Sequence, residues 1–209
     1  MSLKDKSVVV TGANRGIGQA LVVTDAAQVE AAARTVESAD ILINNAGIAM
    51  YDDLSDRAAL ERHLSVNVFG TYAVTQAFLP LLVQSQGAIV NILSVTALAA
   101  MPIIPAYSIS KAAAFSLSQS LRALLASRGV RVHAVLAGPV DTDMSRDLDI
   151  PKASPQSVAQ GIFDGVGKGE EEIFPDAMSA SMAQSWRGGV VKALEGQFAM
   201  LVGAEPMLS

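Results

Sequence analysis

The chain has 209 residues, 51% hydrophobic and 17% charged, with a net charge of -5. It contains no cysteine, which excludes disulfides, thiolate metal sites and cysteine nucleophiles, and its two histidines, His63 and His133, are too few for a histidine-rich metal site. The acidic balance argues against general nucleic-acid binding, which needs a basic face. No stretch approaches the roughly 18 apolar residues of a membrane span, and Met1 to Lys6 runs into a strand rather than a secretory hydrophobic region. The expectation is a soluble, cytoplasmic protein with no membrane or nucleic-acid partner and no metal. The length suits a single domain over residues 1–209, with a C-terminal helical segment from about residue 176.

Ser7 to Val10 is short, β-branched and bounded by Thr11-Gly12, the pattern of a buried strand. Thr11-Gly12-Ala13-Asn14-Arg15-Gly16-Ile17-Gly18 and alanine-rich sequence follow. Strand, glycine turn and helix is the context in which backbone N–H groups and a helix dipole hold a pyrophosphate. Ile41 to Ile43 reads as a second strand, ending in Asn44-Asn45-Ala46-Gly47. From about Ser55 to Val83 the apolar residues recur at helical spacing, and Gly87 closes the helix. Ala88 to Leu93 is a third strand with Ser94 at its C-terminal end, and Tyr107 to Ser127 is the next helix, stopped at Arg128-Gly129. Val130 to Leu136 is a fourth strand, followed by Gly138-Pro139-Val140-Asp141-Thr142. Ser154-Pro155 opens a helix with serine as cap and proline at its first position. Glu170-Glu171-Glu172 reads as a solvated loop, Ile173 to Pro175 as a short last strand and Trp186 to Leu201 as helix.

Strands alternating with helices define an α/β fold, a doubly wound, Rossmann-like parallel sheet whose ligands lie at the strand C-termini. Gly12, Asn45, Ser94 and Gly138 all fall there, which points to one shared site. Tyr107 and Lys111, four apart on one helix, share a face, so the ammonium can approach the phenol. A phenol titrates near ~10, and a neighbouring cation favours its ionised form. Ser94 can then grip the oxygen being protonated.

Together these residues resemble the short-chain dehydrogenase/reductase family over nearly the whole chain. Its T-G-x-x-x-G-x-G motif matches Thr11 to Gly18, N-N-A-G matches Asn44 to Gly47, and the catalytic serine and Y-x-x-x-K match Ser94, Tyr107 and Lys111. Asn67 matches the helix asparagine of the catalytic tetrad. The resemblance implies hydride transfer between NADP(H) or NAD(H) and an alcohol or carbonyl. Tyr107 would exchange the substrate proton, and Lys111 would depress its pKa and bind the nicotinamide ribose. Ser94 would orient the substrate oxygen, and Asn67 would hold a proton-passing water. Gly12, Asn14, Arg15, Gly16, Ile17, Gly18, Asn45, Ala46 and Gly47 would line the cofactor, as would Gly138, Pro139, Val140 and Thr142. Thr142 would bind the carboxamide or a nearby phosphate, and Arg15 leans the preference toward NADP.

Two departures stand out. Where the family reads N-x-x-x-P-G, this chain has His133, Ala137 and Gly138, and His133 is read as a core residue with no catalytic role. Between Gly18 and Ile41 there is room for one helix but not for the family's second and third strands, and Val22 stands where an adenine-contacting aspartate is expected. The first strand should then become an exposed sheet edge, open to pairing. Two functions stay open: an NADP-preferring oxidoreductase, or a non-catalytic or cofactor-deficient relative that keeps the fold as a binding or oligomeric module. Leu98, Met101, Ile103, Ile104 and Met144 suggest an apolar substrate lining, and the resemblance implies a homodimer or homotetramer built on the two long helices.

Overall fold

The computed structural model describes residues 6–12 and 23–202. Among these, five strands form one parallel sheet: β1 Val8–Val10, β2 Ile41–Asn44, β3 Ala88–Ile92, β4 Arg131–Val135 and β5 Glu172–Ile173. The order is β1-β2-β3-β4-β5. Val9 pairs with Leu42, Leu42 with Ile89, and Ile89 with Val132, so the central strands are in register across the core. Among the described residues β1 pairs with β2 alone, and Val8 and Val10 are 41% and 44% exposed, in line with the edge expected from the short stretch between Gly18 and Ile41.

The principal helices are α1 Ala26–Arg34, α2 Arg57–Leu64, α3 Thr71–Ser85, α4 Pro105–Leu125 and α5 Pro155–Lys168, followed by α6 Ala177–Ala180, α7 Ala183–Arg187 and α8 Val190–Ala199. Three helices start where side chains satisfy orphan N–H groups: Asp25 accepts from Ala27 and Gln28, Asp56 from Ala58, and Ser154 from Ser157 ahead of Pro155. One sheet face packs Leu42, Ile89 and Val132 against Val29 of α1, Val74, Phe78 and Leu82 of α3, and Leu121 and Leu125 of α4. The other packs Ile41, Val90, Val135 and Ile173 against Val166 of α5. Each such buried aliphatic contributes about 1.5–3 kcal/mol of transfer free energy. Helices therefore cover both faces, although the strand order runs one way without the reversal that the family's second and third strands would create.

Several boundaries differ from the sequence reading. The single helix expected from Ser55 to Val83 is α2 and α3 joined by a π-helical stretch, Ser65–Gly70, that contains Asn67. It ends not at a glycine but at Gln86, whose φ of 49° supplies the left-handed cap. By length and composition Arg57–Ser85 is apolar enough to cross a membrane, but half of its most apolar window is buried inside the protein. The helix expected from Trp186 to Leu201 breaks at Gly188-Gly189 into α7 and α8.

The acidic triplet is not the solvated loop its charge suggests. Glu172 is buried on β5, and Arg122 of α4 bonds both Glu172, at 2.8 Å, and Glu195 of α8. Lys192 Nζ reaches Glu171 at 2.6 Å, Glu172 at 2.9 Å and Glu195 at 3.1 Å. Two cations shared among three carboxylates offset the desolvation that isolated acidic groups would suffer. The network fastens α8 to α4, the helix that carries Tyr107.

Candidate active site

The strand C-termini meet on one edge of the sheet. β1 ends in Thr11 and Gly12, and Thr11 Oγ1 accepts from both Asn45 N and Ala46 N at 3.1 Å. Asn45 Nδ2 in return donates to Thr11 O at 3.1 Å. Gly12 has φ +65°, and a Cβ there would stand 2.7 Å from Ala46 Cα. The turn conformation and the close approach both require glycine. A Cβ on Gly47 would stand 3.2 Å from Asn67 Oδ1 and 3.6 Å from Lys111 Nζ, so this position faces both side chains closely.

Lys111 is buried, and its Nζ donates to Ile92 O at the end of β3, at 2.8 Å. Burial lowers its pKa from 10.5 to about 8, because the apolar surroundings disfavour the ammonium. Its Nζ stands 5.6 Å from the centroid of the Tyr107 ring. Ser94 is the N-cap of a short turn, Val95–Ala97, with Oγ accepting from Thr96 N at 3.2 Å. Burial pushes the Tyr107 phenol up to about 12, partly offset by a side-chain hydrogen bond with Ser94 that favours the phenolate. This differs from the expectation that Lys111 makes the tyrosine acidic. Desolvation of the phenol dominates, and the amine is engaged with a strand carbonyl rather than with the phenol oxygen.

Asn67 has a more committed side chain than a water relay suggests. Its Oδ1 accepts from Ile48 N at 2.9 Å, and its Nδ2 donates to Ile48 O at 3.0 Å and to Ser110 Oγ at 2.9 Å. The side chain thereby pins the segment after Gly47 against α4. Thr71 Oγ1 donates to Asn67 O at 3.1 Å, within the π-helical stretch where the regular ladder is interrupted.

Gly138, Pro139, Val140 and Thr142 form a loop after β4. Val95 N donates to Ala137 O at 3.0 Å, which ties this loop to the turn beginning at Ser94. Asp141 N donates to Ala153 O and Ala153 N to Pro139 O, both at 2.9 Å, and Thr142 caps the turn Asp143–Ser145. Of the expected apolar lining, Ile103 and Met144 are more than half exposed, while Leu98, Met101 and Ile104 are half-buried. His133 is buried as expected, with Nδ1 2.6 Å from Glu170 O and Nε2 without a hydrogen-bond partner. Asn14, Arg15, Gly16, Ile17, Gly18 and Val22 lie outside the described residues.

Three contributors escape sequence reasoning. His63 is fully buried, and its Nε2 accepts from Met50 N at 3.2 Å while its ring meets that of Tyr107 edge-on at 6.4 Å. The Asp52 carboxylate faces Ala106 N in the first turn of α4, with both oxygens at 3.3 Å. Asp176 accepts from Gly138 N at 2.8 Å. Only Asp176 had a readable signal, the Asp-x-x-Ser spacing of a capping box with Ser179.

A parallel α/β sheet with glycine turn, buried lysine, tyrosine and serine gathered at its strand C-termini defines a Rossmann-like nucleotide-fold protein of the dehydrogenase type. A family model described as short chain dehydrogenase matches residues 22–152, and the chain belongs to the short-chain dehydrogenase family. It is 36% identical over 165 residues to 2-(S)-hydroxypropyl-CoM dehydrogenase 3 of Xanthobacter autotrophicus, covering 75% of this chain and 65% of that protein. An uncharacterized oxidoreductase of Staphylococcus saprophyticus is 39% identical over 127 residues, covering 58% of this chain and 54% of the relative. The chain thus spans less than two thirds of the length of either. Among solved structures, a short chain dehydrogenase from Burkholderia cenocepacia in complex with NADP has a TM-score of 0.82 and 32% identity, covering 94% of this chain and 99% of that one. One from Sphingobium yanoikuyae in complex with NADPH has a TM-score of 0.71 and 27% identity, covering 84% of this chain and 72% of that one.

Proposed function

We propose that the chain is an oxidoreductase that exchanges a hydride between NADP(H), in preference to NAD(H), and an alcohol or carbonyl substrate. The observation that carries this reading is the convergence of Ser94, Tyr107 and Lys111 at the C-terminal end of β3, with Lys111 Nζ on Ile92 O. The catalytic end suits a nicotinamide cofactor: Lys111 brings a buried cationic donor to the C-terminal end of β3, beside Gly47. The adenosine end fits less well, because no strand lies beyond β1 among the described residues.

When bound, the nicotinamide supplies or accepts the hydride. In the reducing direction Tyr107, a neutral phenol at physiological pH whose pKa burial pushes further up to about 12, gives its phenol proton to the substrate oxygen. Ser94 stabilises the phenolate left behind and orients that oxygen. Lys111 would hold the ribose end of the cofactor, and Asn67 fixes the segment from Gly47 through Ile48. NADP preference is supported by the resemblance at Arg15 and by the NADP and NADPH bound to the related Burkholderia and Sphingobium proteins.

The exposed β1 edge favours a second reading, a cofactor-deficient module that keeps the fold. The same assay separates the two. Titration of the 209-residue chain with NADPH and NADH, followed by cofactor fluorescence, is expected to show saturable binding with NADPH tighter. Absence of saturation by either at millimolar concentration refutes the enzyme. A homodimer or homotetramer through α2–α3 and α4 belongs to the same proposal, supported by exposed Phe69, Tyr72, Ile109 and Leu124 on those helices.

A further inference from the structure

We propose that Asp176 is a positioning residue for the loop Gly138–Thr142, replacing the hold that the family's N-x-x-x-P-G residues would supply. The inference rests on the reading that this loop receives the nicotinamide end of the cofactor. Asp176 follows β5 and is 8% exposed as a residue, with its carboxylate among three donors: Gly138 N at 2.8 Å, Ser179 N at 3.0 Å and Ser179 Oγ at 2.7 Å. Capping α6 requires only the bonds to Ser179. The bond to Gly138 is additional, and it crosses from the last strand to the loop after β4.

Two further features fit this role. A Cβ on Gly138 would stand 2.7 Å from Asp176 Oδ1, so the carboxylate can seat against the loop only because that position is glycine. His133, where the family carries asparagine, directs Nδ1 to Glu170 O and so bonds β4 to the segment before β5. Ala137, where the family carries proline, leaves the backbone before Gly138 unconstrained by a ring. The loop is therefore held from two sides: Asp176 grips it at Gly138, and Ala153 grips it at Pro139 and Asp141. Loss of the carboxylate leaves the part-buried Gly138 N–H without its charged acceptor.

The test compares Asp176→Ala, Asp176→Asn and Ser179→Ala with the unaltered chain by NADPH titration, thermal melting and Gly138 amide exchange. Asp176→Ala is expected to raise the NADPH Kd about tenfold, the range set by losing one charge-assisted hydrogen bond. Ser179→Ala removes the cap hydroxyl yet should hold the Kd within about twofold at a comparable loss of Tm, which separates positioning from general destabilisation. Asp176→Asn keeps the volume and covers the case in which the alanine variant does not fold; its Gly138 amide should exchange faster by about tenfold. If the unaltered chain binds NADPH while both Asp176 variants match it in Kd and in Gly138 exchange, the proposal is overturned and the functional reading stands. If the unaltered chain binds neither NADPH nor NADH, the functional reading fails and this proposal fails with it.

Discussion

Lys111 Nζ donates to the carbonyl oxygen of Ile92 at 2.8 Å while standing 5.6 Å from the centroid of the Tyr107 ring. The amine is thus anchored to the end of β3, and the helix brings the phenol beside it. A buried ammonium with one carbonyl partner stores an electrostatic cost that can be read as a dependence of stability on pH.

The sign of that dependence follows from the two pKa values. Folding lowers Lys111 from 10.5 to about 8, so between these values the unfolded chain binds more protons and stability rises with pH. Below about 8 the full penalty applies, roughly 3 kcal/mol for a shift of this size. Lys111→Met removes the penalty together with one hydrogen bond, so it should be more stable than the unaltered chain at neutral pH by about 1–3 kcal/mol. The difference should shrink by pH ~10.5. Urea unfolding of both proteins at neutral and alkaline pH measures this, and a difference that does not change with pH contradicts it.

Arg122→Ala should destabilise more than any exposed ion-pair variant. It strips a partner from Glu172 and Glu195, whose side chains are 3% and 13% exposed, although Lys192 remains beside both. About 2–4 kcal/mol is expected, slightly below the range for leaving a buried charge wholly unpaired. Arg57→Ala breaks an exposed α2 pair with Glu61 and should cost no more than about 0.5 kcal/mol. Thermal melts of the two variants at equal ionic strength provide the comparison, and equal Tm losses would show that the α4–α8 clamp carries no special weight.

The β1 edge predicts a solubility effect. Val8 and Val10 point to the same face of a three-residue strand with one paired side, and both are exposed. Val10→Lys should change stability by less than about 0.5 kcal/mol and reduce self-association, because a charge on an edge blocks strand pairing. Light scattering at rising protein concentration checks this, and unchanged scattering means that the edge is not where copies meet.

Gly12→Ala is expected to cost about 2 kcal/mol or more, since it combines a left-handed backbone with a Cβ 2.7 Å from Ala46 Cα. Denaturant unfolding measures the cost. A loss below about 0.5 kcal/mol would mean that the Thr11–Ala46 turn can spread apart without penalty.

Much of this was legible in the sequence because the relevant signals are local. Apolar runs ending in Gly12, Asn45 and Ser94 located three strand ends, and the spacing of Tyr107 and Lys111 on one helix located the amine beside the phenol. The exposed β1 edge followed from counting residues between Gly18 and Ile41. What stayed hidden depends on contacts between distant segments. The burial of Glu172 requires Arg122 and Lys192 from two other helices, so its acidic neighbours alone suggested a solvated loop. The rise of the Tyr107 pKa reflects desolvation of the phenol by the surrounding protein, which spacing does not encode. The π-helical stretch at Asn67 arises where its side chain bonds Ile48 and Ser110, two partners far along the chain.

The most direct measurement is NADPH-dependent turnover of a panel of ketones and aldehydes by the unaltered chain and by Tyr107→Phe, with the NADPH Kd determined for both. Loss of the proton donor should cut turnover at least a hundredfold, within the roughly 10²–10⁴ range for a positioned general acid, while the Kd stays within about threefold. Near-normal turnover by Tyr107→Phe would contradict the assignment of Tyr107 as the group that exchanges the substrate proton.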